Sequence, residues 1–119
     1  MIKRGGAGLK FDNDFFNTEV REGFEISSMM KRAWAAQMEV FQVVSDICNR
    51  NGIRYFADFG TLLGAVRHKG MIPWDDDIDI SLMRDEYNEL IRILPGELPY
   101  GFVVAGMYAA VSYTHLTLP

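Results

Sequence analysis

Cysteine is almost missing from this chain of 119 residues: Cys48 stands alone. A single thiol forms no intrachain disulfide, so a reducing, cytoplasmic setting is expected, and at the apolar face of a helix Cys48 reads as a small core residue. Long apolar runs are missing too. No stretch approaches the ~20 consecutive apolar residues of a membrane-spanning helix, and the opening "MIKRGGAGLK" has charge without the apolar segment of a secretory leader. Basic residues are scattered, 12 Lys and Arg against 16 Asp and Glu, for a net charge of -4. No basic stripe follows a nucleic-acid backbone, so nucleic acid is not the expected partner. Internal repeats and low-complexity tracts are absent, apart from a Gly-rich start up to Gly8.

What is present suits one small domain, with 49% hydrophobic residues to supply a modest core. From Ser28 to Asn49 the residues Trp34, Met38, Phe41, Val44, Ile47 and Cys48 recur three or four apart, the spacing of an amphipathic helix, and Gly52 follows as its stop. "IRYFADF", Ile53 to Phe59, is rich in aromatic and β-branched residues and predicts a strand that ends at Gly60-Thr61. Asp58, just before the turn, could orient a site group, but reads first as a strand-end residue. Leu62 to His68 predicts a short helix closed by Gly70. A strand running through a glycine turn into a helix is one way to present backbone N–H groups to a phosphate.

Four carboxylates then fall within five positions, Asp75, Asp76, Asp77 and Asp79. "DDDIDISL" alternates Asp or Ser with Ile, Ile and Leu, which predicts a half-buried strand with Asp77 and Asp79 on one face, roughly 6.5–7 Å apart at Cα. Like charges at that distance repel, whereas a divalent ion held by hard oxygen ligands turns repulsion into coordination. The expected ligand is therefore Mg²⁺ or Mn²⁺. A calcium loop is the competing reading, since Asp75, Asp77, Asp79 and Glu86 match loop positions 1, 3, 5 and 12 of an EF-hand. It fails where the loop needs glycine: that position is Ile80, whose branched Cβ resists positive φ. Further on, Asp85 can cap a helix carrying Tyr87, Leu90, Ile91 and Leu94 that Pro95-Gly96 ends, and "YGFVVAG" suggests a third strand. The element order predicts an α/β or α+β fold with a mixed sheet flanked by helices.

The run "YFADFGTLLGAVRHKGMIPWDDDIDISL", preceded by "RAWAAQMEVFQVVSDICNRNGI", resembles the LicD family of phosphotransferases, which is related to fukutin and fukutin-related protein. The resemblance covers about Phe15 to Leu94. It implies a nucleotidyltransferase-like fold with Gly60 and Thr61 at a phosphate-binding turn, and Asp77 and Asp79 at a catalytic Mg²⁺ with Asp75 as an additional ligand. It also implies transfer of a phospho-alcohol, of the phosphocholine type, from a CDP-linked donor such as CDP-choline to a hydroxyl of a cell-surface glycan such as lipopolysaccharide or teichoic acid. Arg67 offers a bidentate fork and Lys69 a point charge for the donor phosphates, and His68 is either a surface or packing residue or a base for the acceptor hydroxyl. A glycosyltransferase whose D-x-D motif holds a nucleotide-sugar is the alternative enzyme.

The end of the chain raises a separate expectation. "VSYTHLTLP" back-translates naturally as GTC TCT TAT ACA CAT CTG ACG CTG CCG, which resembles a transposase adaptor used in preparing sequencing libraries. On that reading, residues 1–14 are a flexible start, residues 15–110 a partial domain, and residues 111–119 an adaptor-encoded tail. The chain by itself is then expected to be inactive.

Overall fold

A computed structural model describes residues 9–106. The expectations for the Gly-rich start up to Gly8 and for the last nine residues lie outside the described residues. A 3₁₀ turn (Asn13–Phe16) is followed by β1 (Glu19–Arg21), β2 (Phe24–Ile26), α1 (Ser28–Arg50), β3 (Phe56–Ala57), α2 (Phe59–Arg67), β4 (Ile80–Ser81) and α3 (Arg84–Glu97). The fold is of the mixed α/β class. In place of one mixed sheet, the described strands form two antiparallel pairs, β1 with β2 and β3 with β4. The chain divides into two compact units, one of the residues through Gln42 with Phe56–Ser81, the other of Val43–Tyr55 with the residues from Leu82 on.

All four strands belong to the first unit. "EVREGFEI" makes the first pair: Glu22 and Gly23 take φ of 51° and 76°, which is how a two-residue turn matches the twist of its strands. Ser27 then caps α1, its Oγ accepting from the Met30 N–H at 3.1 Å. One turn into the helix, Lys31 is 3% exposed and its ammonium is paired with the Glu19 carboxylate, which Arg21 also grips through two nitrogens at 2.8 and 3.0 Å. A buried ammonium needs such a partner, so this pairing fastens the hairpin to α1. The second pair is short. Phe56 faces Ser81 and Ala57 faces Ile80, so the predicted strands over Ile53–Phe59 and "DDDIDISL" each shrink to two residues. The cause is local: Asp58 caps α2, which starts at Phe59 instead of Leu62 and ends the first strand early.

The second unit is built on the lower half of α1. Ile47, Cys48, Ile53, Leu90 and Leu94 are buried together, with Val43, Val44, Tyr55, Leu82, Ile93, Leu98 and Val104 packed around them. The helical spacing thus put Ile47 and Cys48 on the correct face, and Gly52 takes a φ of 65° just beyond the helix end. Burial, with a smaller contribution from Glu86, pushes the Cys48 thiol upward, as befits an inert core residue. α3 runs through Pro95, expected to end it, and closes when the Leu98 N–H reaches the Leu94 carbonyl at 2.9 Å. Proline near the last turn removes one hydrogen bond without blocking the next. Among the described residues the strand expected in "YGFVVAG" is not formed, and Phe102 is buried without strand pairing.

Two measurements check this packing. Leu90→Ala should lower stability by about 2–5 kcal/mol in denaturant titration, the usual cost of a cavity in a tight cluster. Glu19 is held at about 2, below its ordinary 4.5, chiefly by its bonds to Arg21 and Lys31. A carboxylate with a depressed folded pKa stabilises the fold above its unfolded value and loses that contribution as pH falls toward the folded one. The wild-type chain should therefore exceed Glu19→Gln in stability at pH 6, with the gap closing between pH 4.5 and 2; a constant gap would refute the assignment.

Candidate functional site

Asp58 sits where β3 gives way to α2. Its Oδ1 accepts the Phe59 N–H at 2.8 Å, its Oδ2 accepts the Ser81 hydroxyl, and its own N–H donates to the Asp79 carbonyl at 3.1 Å. The Asp79 N–H in turn donates to Thr61 Oγ1 at 2.7 Å. Both peptide groups flanking the Asp79 Cα are thereby bonded to residues at the start of α2. Phe59 takes a φ of 48°, a strained conformation for an aromatic residue, at this same junction.

Glycine decides how closely the acidic segment approaches. A Cβ on Gly60 would collide with the Asp75 carboxylate, so the absence of a side chain leaves the space that Asp75 occupies beside the first turn of α2. One turn later a Cβ on Gly64 would strike the backbone carbonyl of Gly70 and lie 3.2 Å from the Ile72 nitrogen. From the other side, the buried Trp34 donates its indole N–H to the Asp75 carbonyl at 2.7 Å.

The acidic segment therefore has fixed neighbours, and its charges interact. Partial burial first, then the charges of Asp77, Asp75 and Asp58, push the Asp79 carboxyl above its ordinary value, while the Ser81 hydroxyl and the Phe59 N–H hold Asp58 below its own. Among the described residues no three His, Cys, Asp or Glu side chains converge as a complete metal cage. A Mg²⁺ ion does not need one, since it keeps several waters and takes one or two carboxylates together with substrate phosphates. Hard oxygen donors that repel one another, with one carboxylate seated against a glycine, fit such an ion. The calcium-loop arrangement is not formed: Ile80–Ser81 pairs as β4, and the Glu86 carboxylate accepts the Arg54 backbone and guanidinium N–H groups at 2.8 and 3.1 Å.

Of the sequence-derived candidates, Gly60, Thr61, Asp75 and Asp79 come together, with Asp77 exposed beside them in the chain. Arg67, His68 and Lys69 stand at the other end of α2, about 10 Å along the axis from Gly60 at ~1.5 Å per residue. His68 is 10% exposed and occupied: Nε2 lies 2.5 Å from a Glu22 carboxylate oxygen, Nδ1 is 3.4 Å from Arg67 Nε, and the ring meets Trp74 edge to face at 6.1 Å. It joins the end of α2 to the turn of the first hairpin. Trp34, read from the sequence only as a core residue, is a further contributor. Asp58, for which the sequence favours a strand-end role over orienting a site group, and Ser81, expected on the face of Asp77 and Asp79, bond to each other at the site.

Comparison with known proteins now gives this arrangement a family. The model for LicD/FKTN/FKRP, nucleotidyltransferase domain, matches residues 52–110, a stretch that includes the α2 junction and the acidic segment. The chain belongs to this LicD family. It is 53% identical to lipopolysaccharide cholinephosphotransferase LicD of Haemophilus influenzae over 47 residues, 40% of this chain and 18% of that protein. It is 37% identical to ribitol 5-phosphate transferase FKRP of Homo sapiens over 51 residues, 43% of this chain and 10% of that one. Uncharacterized protein RP689 of Rickettsia prowazekii is 41% identical over 71 residues, 57% of this chain and 27% of that protein. The chain thus spans about a quarter or less of these curated relatives. No solved structure matches it.

The glycine contacts separate two kinds of position. Gly64→Ala should lose about 1–3 kcal/mol of stability, because the obstructing atoms are backbone and cannot swing aside. Gly60→Ala should keep most of the stability, since the Asp75 side chain can rotate away. Equal melting temperatures for the two variants would contradict the packing described.

Proposed function

We propose that this chain carries the metal- and donor-phosphate-binding part of a LicD-type transferase, which moves a phospho-alcohol of the phosphocholine type from a CDP-linked donor to a glycan hydroxyl. The observation that carries the reading is the bonding of the Asp79 backbone to Asp58 and Thr61, because it joins the acidic segment to the glycine turn as one unit. The names of the LicD and FKRP relatives supply the class of group transferred. A nucleotidyltransferase-like fold for the whole domain, and a cytoplasmic setting for an uncross-linked chain, belong to the same proposal. Among the described residues no helix is long and apolar enough to cross a membrane.

The chemistry asked of the chain is mostly placement. In the transfer, the acceptor oxygen bonds to the phosphorus that bears the alcohol, the bond from that phosphorus to the bridging oxygen breaks, and CMP leaves with the electron pair. The acceptor proton passes to solvent or to a base. Asp77 and Asp79, with Asp75 nearby, would hold Mg²⁺, which when bound neutralises charge on the pyrophosphate. Thr61 accepts from the Asp79 N–H and keeps its own proton to donate to a phosphate oxygen, and the N–H groups at the start of α2 favour an anion there. Arg67 and Lys69, a helix length away, suit a more distant part of the donor or acceptor. The contacts of both His68 nitrogens, to Glu22 and Arg67, support a packing role over that of a base.

The test is a binding experiment on the chain itself. CDP-choline with Mg²⁺ should raise the melting temperature by several degrees, since a ligand at 100 times its Kd contributes about 2.7 kcal/mol. Either component alone should do little, and Asp77→Ala or Asp79→Ala should abolish the shift. Stabilisation by a UDP-sugar with Mg²⁺, and none by CDP-choline, would replace this reading with the glycosyltransferase one.

A further inference from the structure

We propose that Asp58 is a positioning residue that aims the Asp79 carboxylate at the metal by locking β4 to the start of α2. The proposal rests on the reading above that Asp79 is a metal ligand. Four bonds converge on one short stretch. Asp79 is gripped on its N–H side by Thr61 at 2.7 Å and on its carbonyl side by the Asp58 N–H at 3.1 Å. Two residues on, the Ser81 hydroxyl is held by Asp58 Oδ2, while Oδ1 holds the Phe59 N–H at 2.8 Å. A single side chain thus ties β4, the strand that directly follows Asp79, to the helix that carries Thr61. With β3 and β4 paired over only two residues each, the sheet alone gives little resistance to a slip of register. A slip of one residue would pull Asp79, which directly precedes β4, off its backbone bonds to Thr61 and Asp58. The side-chain bonds of Asp58 supply the restraint that the short ladder lacks.

The lock has a chemical requirement that separates it from ligation. Asparagine can replace it, with Oδ1 accepting the Phe59 N–H and Nδ2 donating to the Ser81 oxygen, whereas alanine cannot. A neutral amide is a poor substitute for a carboxylate on Mg²⁺, so a true ligand would not tolerate the same exchange. Residues that orient a metal ligand typically contribute tenfold to a hundredfold to metal affinity.

Mn²⁺ binding to the full chain, followed by electron paramagnetic resonance, tests this without turnover. Asp58→Ala should weaken Mn²⁺ binding about tenfold or more, and Asp58→Asn should stay within about threefold of wild type. Ser81→Ala, which leaves the cap of α2 intact, should weaken it several-fold and keeps the test decisive if Asp58→Ala does not fold. Unchanged Mn²⁺ affinity in Asp58→Ala or Ser81→Ala, whatever happens to the melting temperature, would reduce Asp58 to an ordinary helix cap and overturn the proposal. Loss in Asp58→Asn as severe as in Asp79→Asn would make it a ligand, and overturn it equally. Absence of Mn²⁺ binding by the wild-type chain, or no effect of Asp79→Asn, would instead overturn the metal reading itself and this proposal with it.

Discussion

The hydrogen bond from the Asp79 N–H to the Thr61 hydroxyl is the interaction on which the site depends. Without it, the acidic segment and the glycine turn are separate features that any surface loop could share. With it, the backbone of an acidic residue and the start of a helix are joined by one hydrogen bond. Such coupling suits charge neutralisation on a polyphosphate, where catalysis is largely placement and a misplacement of about 1 Å can cost on the order of a hundredfold in rate. The supports radiate from that bond: Trp34 of α1 holds the Asp75 carbonyl, Asp58 holds Ser81, and Gly60 admits the Asp75 carboxylate.

The site also carries an internal conflict of the kind that accompanies function. Asp79 lies partly buried among the charges of Asp77, Asp75 and Asp58, and its carboxyl is pushed upward, which means that the ionised form is disfavoured in the folded chain. A carboxyl whose folded pKa is raised subtracts stability above that pKa, and the loss is relieved as pH falls from the folded toward the unfolded value. Packing alone gives no reason to keep such an arrangement, since a neutral side chain at Asp79 would relieve it. A cation relieves it too.

The sequence revealed some parts of this fold and concealed others for identifiable reasons. The 3.6-residue periodicity of Trp34, Met38, Phe41, Val44 and Ile47 is a long signal, and α1 appears as read, to within a residue at its C-terminal end. The first hairpin was invisible because strands of three residues hold too few alternations to register, although the Glu22-Gly23 pair between "EVR" and "FEI" was a turn signal in plain view. β3 and β4 were overestimated because alternation and aromatic content say nothing of where a partner strand stops. Arg67, His68 and Lys69 look adjacent to both Gly60-Thr61 and Asp75 along the chain, although the helix expected from Leu62 to His68 already implied a separation from Gly60 along its axis. For Asp58 the sequence favours the strand-end reading over a site-orienting one because its chief partner, Ser81, lies 23 positions later.

α2 shows how a site can override the ordinary rule for a surface helix. Phe59, Leu62, Leu63 and Val66 recur at i, i+3, i+4 and i+7, the stripe that normally faces inward, yet all four are at least 45% exposed. The inward face belongs instead to Gly60 and Gly64: the Asp75 carboxylate fills the space beside Gly60, and the Gly70 backbone carbonyl leaves no room for a side chain at Gly64. Close approach has decided the rotation of the helix, against the preference of its apolar residues. Turning the stripe inward would bury more apolar surface but would carry Thr61 away from Asp79. The exposed stripe is thus the structural counterpart of the bond that fixes the site: the helix is oriented for what its first turn must touch, and the apolar face is left outward as a consequence.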